Sequence, residues 1–274
     1  MYKNYKPPRD TKKFSEAVNK LRSFFLKKKF IEVHTQDRLS ILAACEDPKT
    51  VATYRYENEI WPLPQTGQMW LEYELLTQPE FPGVFCVSTS YRNEPRPVPG
   101  RHERIFPMFE FEAKGTLQDL QKLEAELCEY LGFGRQSSFV RKNYDDLAKR
   151  YNTRELTGEY ETKMGEEYGR VIFLERFPEH TSPFWNMRRS GAHAHKIDVI
   201  IDGMETIGSA ERSSNAEEMR ERFRTISRGG YAKLLYDTFG KERVESELEG
   251  FLSLPFFPRY GGGIGMTRLM RALA

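Results

Sequence analysis

Residues 91–112 read YRNEPRPVPGRHERIFPMFEFE. Just upstream, Val84 to Ser88 is an apolar run with strand character, and within the stretch Phe106 to Glu112 alternates well enough to form a second strand. Between them, residues 95–100 hold three prolines and a glycine, a composition that interrupts any regular element. The pattern is a hairpin with a long tip, and the tip is charged: Arg92, Glu94, Arg96, Arg101, His102, Glu103 and Arg104. Arginines on a hairpin tip are ordinarily a solvated turn. They also have a chemical use, because a guanidinium is a planar fork that grips phosphate through two hydrogen bonds. Arg92 beside the strand could hold one phosphate rigidly, with Arg101 and His102 closing over outer phosphates. Phe106, at the start of the returning strand, offers a flat face for a base.

Further out, Phe14, Ala17, Val18, Leu21, Phe24 and Phe25 recur at helical spacing, and Lys27, Lys28 and Lys29 suit the negative end of that helix. Phe30 to Val33 is a short strand signal. Residues 45–65 read as loop, with Pro48, Pro62 and Pro64. Leucines 117, 120, 123, 127 and 131 predict a helix ending at Gly132. Residues 135–170 are polar and show no clear period. Val171 to Leu174 and Lys196 to Ile201 read as strands, the latter followed by the turn Asp202-Gly203. From Asn215, alternating Glu and Arg predict a solvated helix, and Tyr231, Leu234, Leu235 and Phe239 a further helix stopped by Gly240. The glycine run 261–265 leads into a last amphipathic helix with Leu269, Met270 and Leu273. Strand runs followed by helices, without strand–helix–strand alternation, predict an α+β fold: an antiparallel β-sheet flanked by helices.

Asp198 and Glu205 stand seven residues apart across the turn Asp202-Gly203. If that turn joins paired strands, the two carboxylates approach one point, which is what Mg²⁺ beside phosphate needs. Two surface acids at this spacing are also common, and Asp202 itself is a turn former. The glycine run allows close backbone approach, a helix N-terminus favours an anion, and Arg268 adds a full charge there. It fits neither the P-loop nor the dinucleotide pattern. Taken singly these features are weak. Together, in chain order, they supply an arginine clamp, a base platform, metal acids and a second arginine, all of which ATP needs.

Composition narrows the classes. With 42 Lys+Arg against 40 Asp+Glu, the 274-residue chain carries a net charge of +2, too balanced for a general nucleic-acid coat. Aromatics at 13% favour a packed core. Cys45, Cys86 and Cys128 are dispersed, which argues against a disulfide framework or a zinc site; Cys86, on a strand, reads as packing. No run approaches a membrane span and the basic N-terminus lacks an apolar core, so the expected compartment is the cytoplasm.

At this point the chain resembles the catalytic core of a class II aminoacyl-tRNA synthetase of the aspartyl, asparaginyl and lysyl subgroup, from about residue 14 to 274. Phe30 to Thr35 resembles the first family motif, residues 91–112 the second and Gly261 to Leu269 the third. The resemblance implies ATP as substrate with Mg²⁺: Arg92 on the α-phosphate, Phe106 stacking on adenine, Glu94 near adenine, Arg101 and His102 on the outer phosphates, Arg268 on the γ-phosphate, and Asp198 and Glu205 as metal acids. Arg92 and Arg268 would be the catalytic pair. For the amino acid it implies Gln68, in Gln65-Thr66-Gly67-Gln68, together with Glu94 for the substrate's amino-group end. It implies Arg212, in the segment Glu205 to Arg212, for the side chain of aspartate or asparagine. Phe177-Pro178 and Phe184-Trp185 are similar to an asparaginyl segment. Departures are Leu71 in place of a lysine, Ile105 in place of a glutamate and Gln36 in place of a proline that belongs to the dimer-forming motif; Tyr91 to Glu94 and Met108 look more like the lysyl relatives. The resemblance further implies residues 1–274 as one catalytic domain without an anticodon-binding domain, a homodimer, and an ATP-dependent ligase that forms an aminoacyl-adenylate. The acceptor stays open: the acceptor end of a tRNA, ammonia as in asparagine-synthetase-like amidation, or a protein amine. A non-catalytic ATP- or RNA-binding paralogue is the contrasting class.

Overall fold

A computed structural model of the protein describes residues 10–35, 39–41, 50–101 and 103–273. Asp10 caps the first helix, α1 (Thr11–Lys27), by accepting from the Lys13 N–H at 3.0 Å. A short strand β1 (Ile31–Glu32) follows. The stretch expected as loop contains a small hairpin, β2 (Thr53–Tyr56) and β3 (Glu59–Pro62), turned by Glu57 and Asn58 in left-handed backbone. Then come α2 (Gln68–Thr77), β4 (Gly83–Tyr91), β5 (Ile105–Lys114) and α3 (Leu117–Leu131). Gly132 ends α3 in the left-handed conformation, as its position predicted.

The polar region that showed no period holds β6 (Val140–Asn143), α4 (Tyr144–Arg150) and α5 (Gly158–Tyr168), each short. Next are β7 (Val171–Pro178), β8 (Arg189–Ser190), β9 (His193–Ile201) and β10 (Met204–Arg212). Helices α6 (Ala216–Thr225), α7 (Gly230–Phe239) and α8 (Lys241–Leu252) precede the last pair, β11 (Arg259–Gly265) and α9 (Met266–Ala272). Helix α6 is less solvated than its charge pattern suggests, since Met219 and Phe223 are fully buried against the next two helices.

One sheet organises these elements, in the order β1-β4-β5-β11-β10-β9-β7-β6, with β8 beside β9. Its interior is antiparallel, as expected; β1 with β4 and β6 with β7 are parallel pairs at the two ends. On one face, α1, α3 and α9 cover a core in which Phe25 sits against Phe30, Phe85, Phe109 and Phe111, with ring centroids 5.1 to 5.8 Å apart. Toward one end of the molecule, Trp185, Phe223 and Phe251 meet edge to face and gather α6, α7 and α8 into a second core.

The glycine run, for which no strand was expected, forms β11, a strand between β5 and β10. Its neighbours explain the missing side chains. A Cβ on Gly261 would lie 2.0 Å from the Glu112 carboxyl carbon, one on Gly262 2.7 Å from Ser209 Cβ, and one on Gly263 2.7 Å from Met108 Cε. The adjacent strands already fill both faces. Gly261→Ala is therefore expected to destabilise the protein by about 3 kcal/mol or more, the upper range for overpacking, read as a lower urea midpoint at unchanged slope.

Glu124 on α3 is fully buried and neither of its carboxyl oxygens has a hydrogen-bond partner. Burial raises its pKa from 4.5 to about 8, with the nearby Ser209 opposing the shift. The native state thus holds this proton through a window in which the unfolded chain has lost it. Stability attributable to Glu124 is full below 4.5 and falls as pH rises toward about 8, by on the order of 5 kcal/mol. Glu124→Gln should remove that slope when unfolding free energies of wild type and variant are compared across the window.

Candidate active site

The turn Asp202-Gly203 does join two paired strands, with Asp202 and Gly203 both in left-handed backbone. Ladder pairing sets Asp198 of β9 directly opposite Gly208 of β10. Glu205 reaches the same face because the register shifts by a bulge between Glu205 and Ile207. An extra residue reverses the in–out alternation that would otherwise turn Glu205 away. A Cβ on Gly208 would be 3.0 Å from Glu205 Oε1 and 3.7 Å from Asp198 Oδ1. The two carboxylates converge over a position with no side chain.

Charge fills in around them. Lys196, two residues before Asp198 on the same face, donates to Asp198 Oδ2 at 2.8 Å. Its ammonium also sits 3.9 Å from the centre of the Phe177 ring. Arg268, in the first turn of α9, donates to the Glu205 backbone carbonyl at 2.7 Å and to its carboxylate at 3.2 Å. Burial opposes ionisation of both acids. For Asp198 burial wins over Lys196, and the neighbouring Glu205 adds to it, so its pKa rises to about 7. For Glu205 the cations Arg268, Lys196 and Arg92 outweigh burial, and its pKa falls. Asp198 Oδ1 is buried without a hydrogen-bond partner. That orphaned oxygen, beside an ionised carboxylate, suits a hard cation with oxygen ligands, so these residues fit Mg²⁺.

Arg92 lies one residue beyond β4, and the Arg92 N–H donates to the Arg104 carbonyl at 2.7 Å, so the hairpin continues past the strand ends. Its guanidinium stands 5.0 Å above the Phe106 ring. Clamp and platform are side by side. Glu94, half-buried in the tip, accepts from Arg104 Nε through its backbone carbonyl at 3.0 Å. Arg101 is drawn to α5, where it pairs with Glu161 at 2.5 Å. The Arg101 backbone carbonyl faces Arg268 Nη2 at 3.4 Å, which places both arginines at the outer end of the site. His102 lies outside the described residues, as do Cys45 and Gln36, the position bearing on the dimer motif.

Gln68 opens α2 and is buried, with Oε1 lacking a partner and Nε2 3.6 Å from where a Gly263 Cβ would be. Glu110 fixes this corner. It accepts from the Gly67 N–H at 2.8 Å and from the hydroxyls of Thr66 and Ser88, while burial pushes its pKa up against these bonds. Arg212 ends β10, roughly 13 Å from Gly208 at 3.3 Å per residue. It is buried and donates to the Glu112 carboxylate from Nε at 3.1 Å and from Nη2 at 2.5 Å. Beside it, Arg259 donates to Glu72 at 2.6 Å and to the Ser213 carbonyl at 2.9 Å, and Asn186 donates to Glu72 at 2.6 Å. Burial raises Glu112 to about 7 against the pull of Arg212.

The fold therefore brings Arg92, Phe106, Arg268, Asp198 and Glu205 to one region, with Arg101 at its rim and Gln68 and Arg212 farther along the same face. Lys196, Glu110, Glu112 and Glu161 belong to it as well and were not singled out in the sequence. Lys196 was findable, since it shares the period-two face of Asp198. Glu161 was not, because nothing in the polar region ties it to a hairpin tip sixty residues away.

A family model for tRNA synthetases class II (D, K and N) matches residues 4–274. The chain belongs to the class II tRNA synthetases. Within the family it is 25% identical to an aspartate–tRNA(Asp) ligase of Pyrobaculum aerophilum, covering 98% of this chain and 65% of that protein. The chain thus spans just under two thirds of that relative's length. Among solved structures the fold is similar to asparaginyl-tRNA synthetase of Pyrococcus horikoshii, complexed with asparaginyl-adenylate, at a TM-score of 0.77 and 20% identity, covering 96% of this chain and 64% of that one. It is also similar to aspartyl-tRNA synthetase of Entamoeba histolytica, at a TM-score of 0.71 and 17% identity over 96% of this chain and 54% of that one.

Glu161 links three parts of the site: it pairs with Arg101 and one of its oxygens accepts from the Glu205 N–H at 2.8 Å. Glu161→Ala should leave the Arg101 guanidinium and the Glu205 N–H without this acceptor and destabilise the protein by about 1–3 kcal/mol, read as a lower urea midpoint.

Proposed function

We propose that the protein activates an amino acid with ATP to form an aminoacyl-adenylate and passes the acyl group to an acceptor, a tRNA 3′ end being the acceptor that family membership favours. The observation that carries this is the convergence of Asp198 and Glu205 over Gly208, with Arg92 stacked on Phe106 and Arg268 against Glu205. Adenine stacks on Phe106, near Glu94. Arg92 holds the α-phosphate, and Arg101, His102 and Arg268 the outer phosphates. Asp198 and Glu205 would hold Mg²⁺, which when bound neutralises charge on the phosphates. The amino acid carboxylate attacks the α-phosphorus in line, and the bond to pyrophosphate breaks. No side chain becomes covalently modified; the protein contributes orientation and charge. The acceptor then attacks the acyl carbon and AMP leaves.

Gln68, with its unpartnered Oε1, receives the substrate's ammonium group. Arg212 faces the side chain. Of aspartate and asparagine, the buried charge favours asparagine. While Glu112 is ionised it offsets Arg212, and Glu72 offsets Arg259, so the floor is then neutral without a substrate charge. Leu71, buried against Val84 and Cys86, supplies no further cation. An added carboxylate would be an unpaired buried charge, whereas an amide would not.

Amino-acid-dependent ATP–pyrophosphate exchange, run with each of the twenty amino acids, tests the reading without knowledge of the acceptor. Exchange is expected with asparagine above aspartate. Exchange with an unrelated amino acid alone would keep the chemistry and discard the role of Arg212. Arg92→Ala should lower exchange by on the order of 10²–10³-fold, as loss of one charge-stabilising donor does elsewhere, with circular dichroism unchanged. A variant at the wild-type rate would sink the assignment.

A further inference from the structure

A cavity of about 530 Å³ opens between the end of β7, the segment before β8 and the C-terminal end of α6. It shares no lining residue with the site of Asp198, Glu205, Arg92 and Arg268. Four arginines line it, Arg154, Arg189, Arg222 and Arg228, against one carboxylate, Glu179. That carboxylate is divided between Arg189 at 2.6 Å and Arg222 at 3.1 Å; Arg222 also reaches Glu218, outside the lining, at 2.9 Å. Arg189 is a fixed buried cation, 4% exposed at its side chain, with further hydrogen bonds to the carbonyls of Pro183, Phe184 and Met187.

Arg154 and Arg228 are different. Most arginines of this chain are matched to acids, yet these two guanidiniums meet no carboxylate among the described residues. Arg228 is presented by an unusual turn in which Ser227, Arg228 and Gly229 are consecutively left-handed. A non-glycine residue keeps that backbone only where its surroundings impose it, and two in succession are uncommon. A surplus of cations lining a cavity calls for anionic oxygens.

We infer that this cavity is a second anion site, taking a ligand with two or more phosphate groups. A single carboxylate would occupy one guanidinium fork and leave the others unmet, whereas several phosphates spread over a volume of this size can engage both Arg154 and Arg228. Two carriers share that chemistry, a free oligophosphate and the backbone of a nucleic acid.

The test compares wild type with the double variant R154A/R228A, whose two side chains are exposed and bear no structural hydrogen bond. Inorganic pyrophosphate is titrated by calorimetry and a short RNA duplex by fluorescence anisotropy at several salt concentrations. With a free oligophosphate as ligand, the double variant loses one pyrophosphate site, from two to one if the ATP site also binds it and from one to none if it does not. That difference keeps this inference separate from the proposed activity. With a nucleic acid as ligand, RNA affinity falls at least about tenfold and the salt slope drops by about 2, one unit per phosphate contact. ATP–pyrophosphate exchange should be unchanged in either case. Equal binding of both probes by wild type and variant, or no binding of RNA and no pyrophosphate site beyond the ATP site in wild type, would overturn the inference.

Discussion

The bulge between Glu205 and Ile207 is the constraint on which the site depends. In a regular ladder, side chains three residues apart point to opposite faces of the sheet. Glu205 and Gly208 are three apart and share a face only because one residue is inserted between them. The same insertion sets the Glu205 carbonyl and N–H where Arg268 and Glu161 bind them. Helices α5 and α9 thus dock on a local irregularity of one strand. The carboxylate opposite Asp198, the arginine of the last helix and the acid that holds the hairpin tip all take their positions from it.

The site's charges are paired before any ligand arrives: Lys196 with Asp198, Arg268 with Glu205, Arg101 with Glu161, Arg212 with Glu112. Isolated buried charges would be costly, and each pair offsets part of that cost while fixing side-chain geometry. An anion entering here would exchange partners rather than meet bare charges. The pair Arg212–Glu112 differs from the others in depth. Both side chains are within a few per cent of full burial, so water does not compete there, and the balance of formal charge decides what can be admitted.

Much of this was legible in the sequence where a side chain carried a pattern. An apolar run exposed β4 and alternation β5, the turn Asp202-Gly203 exposed the pairing of β9 with β10, and leucine spacing exposed α3. Residues without a pattern stayed hidden. Glycines have no periodicity, so β11 was not read as a strand; its strand character is written in Glu112, Ser209 and Met108 on its neighbours. Helix α6 was expected from its charges, but its core contact was not, because only Met219 and Phe223 among its ten residues face the core. The elements around α5 are too short for a period to establish itself. The bulge leaves no trace in composition at all, and neither does the internal pairing of Arg212, which needs Glu112 from a hundred residues earlier.

The bare strand β11 also bears on how the protein can change over time. A strand whose faces are occupied by its neighbours has little freedom of its own, yet it does not define the space it fills. That space is set by Glu112 and Met108 on one side and Ser209 on the other. Drift in this part of the molecule therefore has to pass through those flanking positions. A smaller residue at one of them would open room for a side chain on the glycine it overhangs, so successful substitutions here should come as matched pairs across adjacent strands, with the central strand following and not leading.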